Sequence, residues 1–382
     1  MNARKRYLLV TNSEVISDPR PRKMLRWLNK MDVEVSVVSK DSDLSSLELD
    51  NVKKHYKLKR FSSSKIKSAW LALLLLLRQY KIFERYLKKF PIFNPPVNEK
   101  WDVIISSDIL LLPLVFELKG ECETRVVLDA REFYPRQFEH NFVWRLIQKP
   151  IMTWLTYSYT PKVDKLFSVS RKLCEEYRKI SHKEVYFLPS YANYHDLEPA
   201  NTGEIIKLIH HGHSGANRKI EDMIYLMDKL DDRFILDMYL MSDYSDEYGR
   251  FIADLAKSRK NVNLLPPIES KELISVGNKY DIGLCMFPDT TFNLKYSLSN
   301  KIFEFVQSRL CLAIGGIVES HYIIDEFNNG IYSASADVET LSAKINSLTY
   351  DDIKVLKRNS HHAAKVLCAE EQFSSFKNVV EF

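Results

Sequence analysis

Glycine and cysteine are both scarce in this chain of 382 residues, which contains ten glycines and five cysteines. The glycines form neither a GxxxxGK phosphate loop nor a GxGxxG fingerprint, and this counts against a nicotinamide-dependent dehydrogenase. The cysteines form no CxxC pair, which argues against a disulfide framework and against a zinc knuckle. A reducing cytoplasm is therefore the simplest expected location.

Long hydrophobic runs are also lacking. The apolar run 69–77 has nine residues, whereas a helix needs about 20 to span a bilayer. It lies within a first hundred residues that contain 22 Lys and Arg against 10 Asp and Glu. Because each basic residue near an anionic leaflet contributes about 1 kcal/mol, the stretch 65–90 predicts either peripheral binding to the inner face of the cytoplasmic membrane or a buried helix with a solvated basic end. The membrane-facing candidates are Lys65, Lys67, Trp70, Arg78, Lys81, Lys88 and Lys89.

Short β-rich apolar runs alternate with helical patterns along most of the chain, which is typical of βαβ units and parallel sheets. The predicted strands are 6–12, 33–39, 102–107, 125–130, 165–170 and 185–190, then 205–212, 234–241, 262–268, 281–287 and 311–316. A polar stretch at 193–203 is predicted to be a linker. Two α/β domains are therefore expected, 1–195 and 196–382, and the final helices from about 356 are candidates for packing back on the first domain.

The stretch "LIHHGHSGANRKIEDMIYLM" (208–227) predicts a strand, a polar loop and a helix. Loops at the carboxyl ends of parallel strands collect ligands, and here Arg218 and Lys219 join free backbone N–H groups near Gly212. The stretch indicates either a diphosphate site or a solvated helix start. A metal site is not expected, because adjacent histidines on a strand face opposite sides.

The stretch "SLSNKIFEF" (297–305) predicts a second helix start, capped by Ser297 or Ser299. Glu304 shares a helix face with Asn300 and Lys301 at spacings of four and three. A carboxylate in this position can accept hydrogen bonds from two hydroxyls of a ribose or hexose. The alternative is a solvated Glu304–Lys301 pair.

The stretch "VVLDAREFYPRQF" (126–138) ends a predicted strand and places Asp129, Arg131 and Glu132 in a loop. Paired acidic and basic groups at a strand's carboxyl end can orient a hydroxyl nucleophile or bind an acidic acceptor. They can equally form a local network of salt bridges that closes the loop.

Taken together, these stretches resemble the GT-B glycosyltransferases, and they are most similar to bacterial members of the retaining family 4. "SDPRPRKMLRWLNKMDVEVSVVS" resembles the family's opening helix and second strand, "VVLDAREFYP" its D-x-HE-x-x-P loop, and "FSVSRKLCEEY" its VS-x-x-L helix start. "SNKIFEFVQSRLCLAIGG" resembles "PNKLFEYMAAGLPVI" and is the most specific match, because it fixes an asparagine, a lysine, a glutamate and a following strand in order.

The resemblance implies an α/β GT-B fold, with two Rossmann-like domains facing each other across a cleft. The second domain would bind a nucleotide sugar: Glu304 would hold the nucleotide ribose, Lys219 would neutralise the leaving diphosphate, and the helix start at Ser299 and Asn300 would cradle the phosphates. Asp129 and Arg131 would lie on the acceptor side.

Four departures from the family pattern are present. Tyr296 stands where the family's first glutamate is usual, His213 where an arginine often partners the lysine, and Arg131 where a histidine is common; Arg309 with Leu310 replaces a small-residue pair. Arg218 could substitute for the arginine missing at 213.

The expected function is therefore a glycosyl- or hexosyltransferase that uses a nucleoside-diphosphate-sugar donor, a polysaccharide or lipid-linked acceptor and no metal or other cofactor. Retention is implied by the resemblance alone. The alternatives are an epimerase or phosphorylase on the same fold, and a degenerate, non-catalytic GT-B subunit that partners an active transferase. Nucleic acid is not an expected partner, because the basic patch lacks interleaved aromatic residues.

Overall fold

The computed structural model describes residues 4–41, 43–58, 65–89, 92, 99–296 and 298–381, without the side chains of residues 65–69. The chain divides into two compact units. The first comprises Met1–Pro189 together with Phe373–Phe382, and the second comprises Ser190–Gln372. No helix in the described ranges is long and apolar enough to cross a bilayer.

The first unit is built on a seven-stranded parallel sheet with the strand order β3-β2-β1-β4-β5-β6-β7. The strands are β1 (Lys5–Val10), β2 (Val33–Ser39), β3 (Val52–Lys57), β4 (Val103–Ser106), β5 (Arg125–Ala130), β6 (Lys165–Ser168) and β7 (Val185–Phe187). The helices are α1 (Pro19–Asn29), α2 (Lys65–Leu76), α3 (Tyr80–Lys88), α4 (Leu112–Lys119), α5 (Phe142–Tyr159) and α6 (Arg171–Ser181). Central strands such as β1 and β4 are almost wholly buried, as expected for a parallel sheet covered on both faces.

The second unit contains a six-stranded parallel sheet with the strand order β10-β9-β8-β11-β12-β13. Its strands are β8 (Ile206–His213), β9 (Phe234–Met241), β10 (Val262–Leu265), β11 (Ile282–Met286), β12 (Cys311–Gly315) and β13 (Gly330–Ser333). Its helices are α7 (Ile220–Met227), α8 (Glu247–Lys257), α9 (Leu273–Gly277), α10 (Phe292–Tyr296), α11 (Asn300–Gln307), α12 (His321–Phe327), α13 (Val338–Asn346) and α14 (Tyr350–Val366).

The last helix, α15 (Ala369–Val380), begins in the second unit, and its residues from Phe373 belong to the first. Within the first unit the ring of Phe376 stacks on that of Phe167, with centroids 5.8 Å apart. The Tyr7 hydroxyl donates a 2.9 Å hydrogen bond to the Val380 carbonyl. The end of the chain thus completes the core of the first unit.

Two strands, β3 and β13, were not predicted from the sequence, and both lie at an edge of their sheet. β3 has the sequence VKKHYK, and most of its side chains are not buried. Edge strands bury only part of their surface and often carry lysines, which discourage pairing with other chains. β3 therefore lacks the apolar run by which the other strands could be recognised, and β13 has only four residues.

Arg309, one of the departures from the family pattern, is fully buried with a positive φ of 62°. Its guanidinium donates to the carbonyls of His195 at 2.5 Å, Leu197 at 3.1 Å and Gln307 at 2.7 Å. The segment predicted as a linker is therefore fastened to the chain directly after α11.

Each sheet has one point at which successive crossovers lead to opposite sides. In the first sheet this point lies between β1 and β4, and in the second it lies between β8 and β11. Such switch points open a crevice at the carboxyl ends of the two strands, and ligands of open α/β sheets bind there. The side chains that follow these four strands are therefore the candidates for function.

A buried ion pair joins α14 to the second sheet. The Lys357 ammonium lies 2.8 Å from the Asp281 carboxylate and donates a 3.0 Å hydrogen bond to the Tyr280 carbonyl. We expect Lys357→Met to lower the free energy of unfolding by about 3 kcal/mol, because it leaves the Asp281 charge buried without its partner. Urea unfolding measures the change.

Lys354→Met is the matched control on the same helix, since Lys354 is half exposed and pairs with Asp351 on the surface. Its unfolding curve should nearly coincide with that of the wild type. If the two variants lost the same free energy of unfolding, the buried ion pair would stabilise the fold no more than the surface pair does.

Candidate functional site

The switch point of the second sheet brings together two stretches that the sequence singled out. The first stretch comprises Gly212 and His213 at the end of β8 and the loop that leads from it into α7 at Lys219. The second is the segment that leads from β11 into α11. β8 and β11 are paired in parallel, with Leu208 opposite Ile282, so both stretches leave the sheet at the same edge.

Lys301 lies against the backbone of Gly212. Gly212 has a φ of +108°, and a Cβ atom there would lie 2.9 Å from both Cε and Nζ of Lys301. The absence of a side chain at 212 thus makes room for the lysine, which is only 8% exposed. Glycine is suited to this position both by its conformation and by the close approach.

Arg218 and Lys301 meet at the ring of Phe287. The Lys301 ammonium and the Arg218 guanidinium carbon each lie 5.3 Å from the ring centroid. Burial lowers the pKa of both groups, and the charge of Arg218 lowers that of Lys301 further. Within the described part of the chain neither forms an ion pair; Arg218 donates only a 3.3 Å hydrogen bond to the His213 carbonyl. The site therefore holds two cations without a salt bridge among the described residues, although the charge of Glu304, on the same helix, acts on Lys301 and raises its pKa against the effect of burial.

Glu304 follows one turn into α11 and is partly buried, with 25% of its side chain exposed. Burial raises the pKa of Glu304 to about 7, although the charge of Lys301 opposes the shift. Its Oε2 lies 3.4 Å from Nε2 of His211. Burial, and then Lys301, lower the pKa of His211 to about 3, so the imidazole is neutral and this contact is not a salt bridge at neutral pH.

The histidines of β8 face opposite sides, as the alternation of a strand requires. Nδ1–H of His210 donates to the Leu284 carbonyl at 2.9 Å, whereas His211 faces Glu304. Within the described ranges no three His, Cys, Asp or Glu side chains gather closely enough to hold a metal ion.

The other predicted donor residues differ in their exposure and in their hydrogen-bond partners. Lys219 is exposed in a left-handed conformation at the start of α7, and Asn300 is exposed at the start of α11. The Ser299 hydroxyl does not cap α11 but is hydrogen-bonded to the Cys285 thiol, whose pKa burial raises to about 11. His213 is turned toward the Met241 carbonyl, 2.9 Å from its Nδ1. Ser297 lies outside the described residues.

In the first unit, Asp129 occupies a different position from the one expected. The sequence predicted that its carboxylate would be available to a substrate where strand 125–130 ends, but Asp129 lies within β5 and is fully buried. Both of its carboxylate oxygens accept hydrogen bonds from Arg20 of α1, at 2.7 and 2.5 Å. A carboxylate so enclosed cannot reach a substrate, and its structural effect is to hold α1 against the sheet.

Arg131 is the predicted residue of this loop that stays at the edge of the sheet. Its Nη1 lies 2.6 Å from the carboxylate of Asp18, which also caps α1, and a quarter of its side chain is exposed. Burial favours the neutral form, but Asp18 and Asp129 together raise the pKa of Arg131. Its Nε is buried without a partner within the described part of the chain.

Sequence reasoning missed Asp108, which follows β4 at the first switch point. Its carboxylate accepts a 2.9 Å hydrogen bond from the Leu110 amide, and burial raises its pKa against the opposing charges of Arg131 and Lys40. Burial also raises the pKa of Glu132. The signal was available, because Asp108 directly follows the predicted strand 102–107.

The membrane-facing candidates lie on or next to α2 and α3. Trp70, Lys81 and Lys89 are exposed, Arg78 follows α2 in a left-handed conformation, and Lys88 lies 3.6 Å from Glu117. Lys65 and Lys67 belong to the first turn of α2, and their side chains lie outside the described part.

The raised pKa of Glu304 makes stability depend on pH. The carboxyl titrates near 4.5 in the unfolded chain and near 7 in the folded protein, so the stability it contributes is present below pH 4.5 and lost as the pH rises through 7. We therefore expect the free energy of unfolding of Glu304→Gln, relative to that of the wild type, to be about 2 kcal/mol higher at pH 8 than at pH 5. This is less than the whole pKa shift implies, because the side chain is partly exposed to solvent.

Urea unfolding of both proteins at the two pH values tests this. Asp325→Asn is the control, since the Asp325 carboxylate lies on the exposed surface beside Tyr332. An unchanged difference between wild type and Glu304→Gln at the two pH values would show that Glu304 has an ordinary pKa.

No protein-family model matches the sequence, and no curated protein is significantly similar to it. Solved structures do match over nearly the whole chain. Sucrose-phosphate synthase from Thermosynechococcus elongatus has a TM-score of 0.71 at 12% identity, and the match covers 98% of each chain. A glycosyltransferase from Rickettsia africae has a TM-score of 0.67 at 13% identity, covering 99% of this chain and 100% of that one.

HepE from Anabaena, in complex with UDP and glucose, has a TM-score of 0.66 at 8% identity, covering 97% of this chain and 99% of its own. At these identities the likeness concerns the fold. The two parallel α/β units and these matches confirm the fold class predicted from the sequence: the chain has the GT-B fold.

Proposed function

We propose that the protein is a glycosyltransferase that moves a sugar from a nucleoside-diphosphate-sugar donor to a cell-surface polysaccharide or lipid-linked acceptor. The observation that carries the proposal is the pair of cations, Arg218 and Lys301, which meet at Phe287 without an ion-pair partner among the described residues. Two cations outnumber the one carboxylate that acts on Lys301, that of Glu304, and a diphosphate would supply further negative charge. That HepE holds UDP and glucose supports the same class of ligand.

The two cations would also serve the chemistry. As the bond between the sugar and the diphosphate breaks, negative charge builds up on the leaving oxygen. Positive groups already fixed around that oxygen stabilise the transition state without having to reorganise. The backbone N–H groups of Asn300 and Lys301, at the positive end of the α11 dipole, would donate to the phosphates. These groups place positive charge beside the diphosphate without a metal, and we expect transfer to proceed in the presence of a metal chelator.

Glu304 is placed to accept hydrogen bonds from two ribose hydroxyls of the donor. It lies one turn beyond Lys301 on α11 and keeps a quarter of its surface exposed. Two hydroxyls of a ribose donating to its oxygens would favour the ionised form and lower its pKa from about 7. We assign the role first expected of Lys219 to Arg218 and Lys301, because these two are partly or wholly buried at Phe287 whereas Lys219 is exposed.

We further propose that the acceptor binds at the first unit, near Arg131 and Asp108, and that transfer retains the anomeric configuration. Arg131 and Asp108 follow neighbouring strands at the carboxyl edge of the sheet, where acceptors of this fold would be placed by the general rule for α/β sheets. Retention rests on the resemblance to family 4, and NMR assignment of the product anomer tests it.

The donor site is tested by calorimetric titration with nucleoside diphosphates, beginning with UDP, and with the matching nucleosides. We expect Lys301→Met and Arg218→Gln each to weaken diphosphate binding about tenfold to a hundredfold, because each removes a charged hydrogen bond worth about 1.5–3 kcal/mol. Neither variant should weaken nucleoside binding. Glu304→Gln should weaken both ligands.

Lys295→Met is the matched control for the donor site, since Lys295 lies in the same segment but pairs with Asp289 on the surface. It should bind like the wild type. If the two cation variants lost nucleoside and nucleoside diphosphate equally, the cations would have a structural role and the diphosphate assignment would be wrong.

The acceptor side is tested with Arg131→Gln. We expect donor affinity to stay unchanged while transfer of labelled sugar to a membrane lipid extract falls at least tenfold, because Arg131 is absent from the donor unit. Arg136→Gln is the control: Arg136 lies in the next turn and pairs with Glu139 on the surface. If Arg131→Gln also lost donor affinity, the assignment of Arg131 to the acceptor site would be wrong.

A second candidate function is a degenerate GT-B subunit that scaffolds or partners an active transferase. The specific observation in its favour is that Tyr296, at the position of a usual glutamate, packs its ring on Phe292 with centroids 4.9 Å apart. Tight binding of a nucleoside diphosphate without turnover of any sugar nucleotide would support this candidate over the first.

A further inference from the structure

The helix α2 presents an unusual apolar face to solvent. Trp70, Leu73, Leu76 and Leu77 are between 46% and 59% exposed, at helical spacings of three, three and one. Leu74 and Leu75 of the same helix are buried. Exposed large apolar residues are ordinary when single, but a row of them on one face marks a surface that another apolar phase covers.

The start of α5 carries a second exposed apolar group that the sequence did not single out. Phe142, Val143 and Leu146 are between 56% and 68% exposed. Arg145 and Lys149 are exposed between them, and α5 contains no acidic residue from Phe142 to Tyr159. The first two turns of α5 thus combine apolar and basic side chains on the surface.

α2 and α5 are neighbours in the first unit. α2 packs against α5, and the ring of Tyr80, which follows α2 at the start of α3, lies 5.8 Å from that of Trp154 in α5. We refer to the exposed apolar side chains of the two helices as the α2–α5 surface; they are Trp70, Leu73, Leu76, Leu77, Phe142, Val143 and Leu146.

Basic residues predominate around the α2–α5 surface, although Lys88 pairs with Glu117. Residues 65–90 contain seven Lys and Arg against one acidic residue, Glu84. The carboxylate of Glu84 accepts a 2.5 Å hydrogen bond from the Tyr159 hydroxyl and keeps its single negative charge, which the seven basic residues outnumber. Protein interfaces are depleted in lysine, whereas a lysine-rich border around tryptophan and leucine suits the headgroup and acyl layers of an anionic bilayer.

We propose that the α2–α5 surface inserts into an anionic lipid bilayer. The apolar side chains of α2 and of the first turns of α5 would enter the acyl boundary, with Trp70 at headgroup depth. Arg78, Lys81, Arg145 and Lys149 would contact the lipid phosphates. This inference does not depend on the proposed transfer reaction, since vesicle binding is measured without donor or acceptor.

Flotation with vesicles of equal parts phosphatidylglycerol and phosphatidylcholine tests the proposal. We expect binding to these vesicles and none to pure phosphatidylcholine. Arg145→Gln with Lys149→Gln should lower the affinity about thirtyfold, since one basic residue at the surface is worth about fivefold. Val143→Ser with Leu146→Ser, and Leu73→Ser with Leu76→Ser, should each lower it at least tenfold.

Met241→Ser with Val366→Ser is the matched control, because both residues are 55% exposed but belong to the second unit. It should bind vesicles like the wild type. Vesicles with brominated acyl chains should quench wild-type fluorescence more than that of Trp70→Phe. Thermal unfolding of each variant distinguishes lost binding from a lost fold.

Three outcomes would overturn the proposal. Wild-type protein that stays with the soluble fraction at every phosphatidylglycerol content does not bind anionic bilayers. Vesicle binding that survives in all three variants uses another surface. A dimer in light scattering that the serine variants dissociate, in protein that ignores vesicles, would assign the α2–α5 surface to a second copy of the chain.

Discussion

The direction of the strands is the constraint on which the rest of this molecule depends. All pairings between the named strands are parallel in both sheets. Successive strands must therefore be joined by crossovers, and the loops that follow the carboxyl ends of the strands all lie at one edge of their sheet. The point where the crossovers change side then selects two loops from the many at that edge. In the second unit those loops are the ones that bring Arg218 and Lys301 to the same aromatic ring.

The buried charges of this protein fall into two kinds. Asp129 with Arg20, and Lys357 with Asp281, are paired in the interior and serve to fix a helix against a sheet. Arg218 and Lys301 are held close together without such a partner in the described part of the chain. Like charges near one another in a buried or partly buried site are costly unless a function requires them, and for this reason we propose the donor site at the second kind and not at the first.

The sequence was sufficient for much of the fold, because interior strands of parallel sheets are apolar runs bounded by polar loops. β2, β5 and β9 have the predicted bounds, whereas β3, which lacks such a run, and β13, which has only four residues, were missed. At the site, the spacing of Asn300, Lys301 and Glu304 could be predicted from helix periodicity. The burial of Asp129 and the contact of Lys301 with Gly212 could not, since both depend on which side chains from distant parts of the chain fill the same space.

The path of α15 has a consequence for the order in which the protein can fold. Phe376 and Val380 supply a core ring and a hydrogen-bond acceptor to the first unit, yet they are synthesised only after the whole of the second unit. During synthesis the second unit can therefore reach its native core while the first still exposes the ring of Phe167 and the hydroxyl of Tyr7. The unit whose synthesis begins first would therefore be the last to complete its core. Chaperones that bind during synthesis would be directed at the amino-terminal sheet.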